Sequence, residues 1–344
     1  QHKIIIKKGD LKEAFLQSIW HSEIPVLNTH GAAKNILARL AKDHCKVVIT
    51  GEGADELLMG YGMFSHLLNE ENENYFFKTK ASVNKGQLAG TLKKYDSVLD
   101  FFGAYPYSMQ RHFYLNQINK FMLKGKHRTA SSNWIWQEEM LNHMPPEIFE
   151  GLDSMRATQL FFLKSDFPAY LLNYLGDRQE MSAGLEGRVP FLDHTLVDFM
   201  CRLPNDLKQN QNTSKYILRE AFKGVLDDSL RLRPKQVFYA PAFESIGYFD
   251  DPSFFSRFDS KSKFNEVGIF NYTFYKYLKV LIRILPAHHQ LLPIVESIAT
   301  FILSMHMVHE FFIKDFETWQ KHFSPHPFEG SILNFNVDNL QDSI

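Results

Sequence analysis

The stretch VVITGEGADELLMGYGMF, residues 47–64, decides how this chain is read. Val47, Val48, Ile49 and Thr50 run without alternation into Gly51, the pattern of a short parallel strand buried on both faces. Three carboxylates follow at once: Glu52, Asp55 and Glu56. In open α/β sheets, ligands bind beyond the carboxyl ends of the strands. Glycines at 51 and 53 let backbone approach a ligand closely, and the N–H groups that open the next helix favour anions. The acids would repel a bare phosphate, but they suit a Mg2+ held between carboxylate and phosphate oxygens. On a helix starting near Ala54, Asp55 and Glu56 diverge by about 100°, so one is a candidate ligand and the other a structural acid. The plain alternative is a set of acids complementing a helix dipole, and spacing alone leaves both readings open.

Working outward, residues 4–6 (III) read as a short strand, and Asp10 as the cap of a helix over 11–20. Residues 25–44, PVLNTHGAAKNILARLAKDH, place Ala33, Ile36, Leu37, Leu40 and Ala41 on one helical face. Strand, helix, strand, glycine turn, helix is βαβ grammar. Residues 70–90 are polar, with Glu70, Glu71 and Glu73, and read as a surface loop. From Thr91 onward the pattern is mainly helical. KYILREAFKGVL sets Ile217 or Leu218, Ala221, Phe222 and Val225 on one face, and the tail from Pro325 reads as loop. The predicted fold is α/β: an incomplete Rossmann-like parallel sheet within residues 1–245, then a helical region over 246–344.

The 344 residues are 44% hydrophobic and 22% charged, which suits a globular chain with a large core. A net charge of −1 argues against a general nucleic-acid binder. The two cysteines, Cys45 and Cys201, exclude a disulfide framework or a CxxC metal site and fit a reducing, cytoplasmic compartment. Residues 4–6 are too short for the apolar core of a signal peptide. The most apolar region, 272–313, contains Pro286 and Pro293 and carries Arg283, His288, His289, Glu296, His306, His309 and Glu310. It therefore reads as buried helices, with no run of membrane-span length and no membrane partner. The chain begins at Gln1, not Met, and is expected to be part of something longer.

Two further stretches carry chemistry-bearing residues. GDRQEMSAGLEGRVPFLDH, 176–194, holds Asp177, Arg178, Glu180, Glu186, Arg188 and Asp193. Arg188 could clamp a carboxylate, but from the residues alone an ion pair with Glu186 or Asp193, bracing a turn, is the better reading. LRLRPKQVFYAP, 230–241, puts Lys235 after a proline, where an ammonium could neutralise charge building in a transition state. A plain surface lysine is the alternative. His306 and His309, with Glu310, have a metal-compatible spacing, but their apolar surroundings favour core or edge histidines.

Taken in order, TGEGADELLMGY, DRQEMSAGLEGRVPFLDH and KYILREAF with RLRPKQVF resemble the synthetase domain of the asparagine synthase family, over about residues 1–242 and nearest its amidotransferase-like branch. The resemblance implies an ATP-pyrophosphatase (adenine nucleotide α-hydrolase-like) fold and a carbon–nitrogen ligase. A carboxylate attacks the α-phosphate of ATP·Mg2+, giving an acyl-adenylate and pyrophosphate. Ammonia, released from glutamine by a glutaminase domain, then forms the amide and AMP leaves. On this resemblance Asp55 is the Mg2+ ligand, and Thr50, Gly51 and Gly53 lie beside ATP. Glu52 serves adenylate chemistry and proton transfer, and Lys235 stabilises the adenylate and pyrophosphate charge. Asp177, Glu186 and Arg188 shape the substrate site. Implied partners are a glutaminase domain, in cis or on another chain, and a small-molecule carboxylate, with homodimerisation an open expectation.

Departures are equally specific. The family's Ser-Gly-Gly-x-Asp-Ser phosphate loop occurs nowhere in the 344 residues, nor does a glutaminase domain, so the isolated chain is expected not to adenylate a carboxylate. Met59 stands where a small residue is common. Two alternatives follow from the same resemblance. One is intramolecular amide closure, as in β-lactam synthetases, where Tyr often replaces the acid at the Glu52 position. The other is a non-catalytic scaffold, against which the joint presence of Glu52, Asp55 and Lys235 speaks.

Overall fold

The computed structural model describes residues 2–62, 64, 118–133, 143–210, 213–234 and 241–323. Lys235, the polar stretch 70–90 and the tail from Pro325 lie outside these residues. Strand β1 (Val47–Ile49) pairs in parallel with β2 (Glu186–Arg188), with Val47 opposite Glu186, Val48 opposite Gly187 and Ile49 opposite Arg188. The ladder continues past both ends of β1, because Thr50 N–H donates to Arg188 O at 2.9 Å and Glu186 N–H donates to Lys46 O at 2.9 Å. The architecture is mixed α/β, a short parallel sheet in a mainly helical chain. The expectation that β1 is buried on both faces is corrected: Val47 is 44% and Ile49 78% exposed. Among the described residues β2 alone pairs with β1, and helix packing covers only the face that carries Val48 and Gly187.

The helices that position the site are α1 (Leu11–Ser22), α2 (His30–Lys42), α3 (Ala54–Leu57), α4 (Ser154–Lys164), α5 (Arg178–Ser182), α6 (His194–Arg202) and α7 (Tyr216–Ala221). Residues 4–6 form no strand. Ile4 and Ile5 are exposed, while Ile6 packs on the core from an irregular segment. Asp10 does not cap α1, because its carboxylate accepts the Lys7 N–H at 2.7 Å instead. On α2 the fully buried residues are Gly31, Ala32, Asn35 and Ala38; of the predicted stripe, Ala33 and Ile36 pack on the core, Leu40 and Ala41 are half-buried and Leu37 is exposed. Close approach explains why a glycine is among the buried residues: a Cβ on Gly31 would sit 2.5 Å from Tyr174 Oη. Helix α7 stops at Ala221, short of the predicted face, leaving Phe222 and Val225 exposed.

Beyond residue 245, α8 (Pro252–Asp259), α9 (Lys261–Val267), α10 (Tyr272–Ile284) and α12 (Phe316–Phe323) surround α11 (Leu292–His309). They share one core with α1, including Phe15, Ile19, Phe258, Phe264, Ile302 and Phe311. The expectation of no span-length apolar run is corrected here. Among the described residues one helix, Leu292–Lys314, has a mean hydropathy of 1.3 and is long and apolar enough to cross a membrane by length and composition. Pro293 does not interrupt it because it sits in the first turn, where its missing N–H is not needed. Most of this helix is buried within the protein. Its His306 is wholly buried, the Nδ1–H donates to Phe258 O at 2.7 Å, and the Phe264 ring lies against the imidazole. Burial pulls the His306 pKa down to about 4, so it is a neutral core histidine.

Candidate active site

The end of β1 becomes a tight turn because only glycine fits at 53. Its φ is +93°, and a Cβ there would lie 2.5 Å from Leu192 Cδ2. A Cβ on Gly51, by contrast, would meet nothing within 4 Å, so its backbone is approachable. The following helix α3 is a single turn of four residues, so it contributes little dipole and any anion contact here would rest on the N–H groups of the turn itself.

The three acids take different environments. Glu56 turns inward, is 2% exposed and accepts a short hydrogen bond from Tyr61 Oη. Burial raises its pKa, the Tyr61 hydrogen bond opposes that, and burial drives the Tyr61 hydroxyl pKa upward as well. Glu56 is therefore built into the structure, while Asp55 and Glu52 face the open side. Asp55 Oδ1 lies 3.0 Å from Lys215 Nζ, and Gly60 makes room for this pair, since a Cβ there would come within 2.0 Å of Asp55 Oδ1. Glu52 Oε1 lies 3.5 Å from Lys34 Nζ, which is also 3.6 Å from Glu180 Oε1. Each outward acid thus has its own lysine.

Helix α4 supports this turn from behind. Gln159 Nε2 donates to Glu56 O at 2.7 Å and to Leu57 O at 2.9 Å, and Gln159 Oε1 accepts from the fully buried Lys208 at 3.1 Å. Burial lowers the Lys208 pKa. Met59 follows with φ +53°, a strained value for a side chain of its size, and is held by contacts with Phe64 and Met155. Gln159→Ala would strip two carbonyls of donors and a buried ammonium of its acceptor. We expect a loss of about 2–3 kcal/mol, read as a lower urea midpoint at unchanged slope.

The structure brings the first two motifs together through the β1–β2 pairing, but not all of their residues. Arg188 Nε donates to Glu186 Oε1 at 2.6 Å, and both side chains are largely exposed, so the pair contributes little stability. Asp193 caps α6 by accepting from Thr195 N–H at 3.0 Å and Leu196 N–H at 3.3 Å, and these bonds hold its pKa down. Asp177 is exposed at the end of the π-helical turn Phe167–Asp177, and no hydrogen bond or ion pair joins it to the acids among the described residues. Sequence reasoning missed Lys34, Gln159 and Lys215, and named Glu180 among the acids of 176–194 without giving it a role. Only Lys215 left a signal, as the first residue of KYILREAF, and its left-handed φ of +55° is the backbone mark of a constrained position.

Thr50 and Asp55 could hold parts of a nucleotide and of a divalent cation, while no all-protein metal cage occurs among the described residues. Thr50 Oγ1 is buried without a hydrogen-bond partner among the described residues, beside the open Gly51. Asp55 is a hard oxygen donor, and no group of three metal-ligating side chains occurs among the described residues. Mg2+ accepts such a site, taking its other ligands from phosphate and water.

The chain is 28% identical over 267 residues to amidase chyE of Penicillium rubens, covering 70% of this chain and 39% of that protein. It is 28% identical over 263 residues to amidase chry2 of Gibberella zeae, covering 70% and 39%. With glutamine-hydrolysing asparagine synthetase 1 of Bacillus subtilis it shares 25% identity over 238 residues, covering 65% and 35%. The chain thus spans about two fifths of the length of the curated relatives it matches. The family model for asparagine synthase matches residues 1–274, and the chain belongs to the asparagine synthase family.

Proposed function

We propose that this chain carries part of the site of an ATP-dependent, AMP-forming amide synthetase, in which a carboxylate is activated as its adenylate and then attacked by ammonia. The observation that carries the reading is the outward acid pair at the end of β1, Glu52 and Asp55, each opposed by a lysine and set beside the approachable Gly51. Asp55 would supply one ligand to Mg2+, whose chemistry is to neutralise phosphate charge. Thr50 Oγ1 offers a hydrogen bond to a phosphate or ribose oxygen. Glu52, held beside Lys34, takes the proton released as the amine attacks. Lys215 counters charge at Asp55 until a cationic ligand replaces it. Lys235 would add positive charge at the leaving pyrophosphate.

The test uses the full-length protein encoded with this chain, ATP, ammonium chloride and a panel of L-aspartate, L-glutamate and aromatic carboxylates. Carboxylate-dependent release of AMP and pyrophosphate in equal amounts supports the reading. Release of ADP, or amide hydrolysis without ATP by a protein whose relatives include named amidases, overturns it.

A further inference from the structure

Lys34 does more in the structure than oppose Glu52. Its ammonium stands between two carboxylates, 3.5 Å from Glu52 and 3.6 Å from Glu180. Glu180 is 5% exposed and lies directly under β2, where a Cβ on Gly187 would come within 1.9 Å of Glu180 Oε2. A buried carboxylate requires a counter-charge, and among the described residues Lys34 is the cation that meets it. The register of this meeting is fixed next door. Asn35 is wholly buried and its Nδ2 donates to Ser182 Oγ at 2.7 Å, which locks α2 against α5. Lys34 and Glu180 are therefore held in place before either touches the site. Lys34 already carries two acids and has no charge left for a substrate carboxylate, so substrate binding is a poor account of it.

We infer that Lys34 is a positioning residue: anchored by the buried Glu180, it fixes the Glu52 carboxylate at the end of β1 in the orientation that receives the amine's proton. The chain of contact runs from Gly187, which makes room for Glu180, through Glu180 and Lys34 to Glu52. This rests on the role proposed for Glu52.

The test measures AMP release by the full-length protein with ATP, ammonium chloride and the carboxylate panel above. Misplacing a catalytic group by about an ångström costs on the order of a hundredfold. Lys34→Met should therefore lower kcat about 30- to 100-fold while the KM for ATP stays within about twofold, and Lys34→Arg should recover most of the rate. Lys34→Met leaves a buried charge unpaired and could fail to fold. The double variant Lys34→Met/Glu180→Gln removes both charges and should fold, with kcat as low as in the single variant. Wild-type kcat in the folded double variant, or a raised KM at unchanged kcat, overturns the inference. Glu52→Gln separates the two claims. If it keeps full activity, the role of Glu52 falls and this inference with it; if it loses activity while the Lys34 variants do not, only the inference about Lys34 falls. A wild-type protein that releases no AMP overturns both.

Discussion

Asp55→Ala in the full-length protein is expected to cut AMP release by about a thousandfold, on the scale seen when a group stabilising transition-state charge is removed. The fold should survive it. Asp55 and Lys215 are each about one-fifth exposed, at 20% and 22%, so the freed ammonium reaches water and no buried charge is stranded. We expect a stability change under about 1 kcal/mol. Initial rates of AMP release, with a thermal melt as control, check both halves. Full activity would remove Asp55 from the site, and a collapse of the melt would make it structural. Asp55→Asn keeps the shape and loses the charge, and should be nearly as inactive.

The second large effect is acid sensitivity through His306. Its folded pKa is lowered to about 4 from 6.5, so the unfolded chain takes the proton first as pH falls. The stabilisation is complete above pH 6.5 and is lost progressively down to about pH 4. The shift corresponds to about 3 kcal/mol. The physical cause is an imidazole enclosed by Phe264 and Phe270, with Nδ1–H on Phe258 O and Nε2 without a partner among the described residues. His306→Asn keeps a donor near the Nδ1 position but cannot titrate. Denaturant unfolding at pH 7 and pH 4.5 should show a markedly smaller pH loss in the variant. Equal loss in both proteins would assign acid sensitivity elsewhere.

The acidic turn was legible because its signals are local. β-Branched residues run into glycine, and Gly53 is forced both by its positive φ and by Leu192. The separation of Asp55 from Glu56 followed from helix geometry, but which one faces inward did not, since that depends on Tyr61 and burial. The face of α2 was read only in part: Ala33 and Ile36 pack on the core as periodicity suggests, but periodicity counts bulky apolar residues and overlooks Gly31, Ala32 and Asn35, which are buried where Tyr174 comes close to Gly31. Asp10 was misread as a cap because its carboxylate had a nearer donor in Lys7 N–H. Lys34 and Gln159 were invisible, and Glu180 was named without a role, because their partners lie far along the chain and no spacing rule spans such distances.

A one-turn helix has almost no hydrogen bonds of its own to hold it. The persistence of α3 is therefore set by α4, through the two Gln159 hydrogen bonds to Glu56 O and Leu57 O. Amide hydrogens in the acidic turn should exchange at the rate at which α4 opens, not at the rate of a frayed helix end. A ligand that draws Asp55 and Glu52 forward would be felt first in α4 as a change in protection, so the opening of a helix with no outward acid of its own would report events at the strand end.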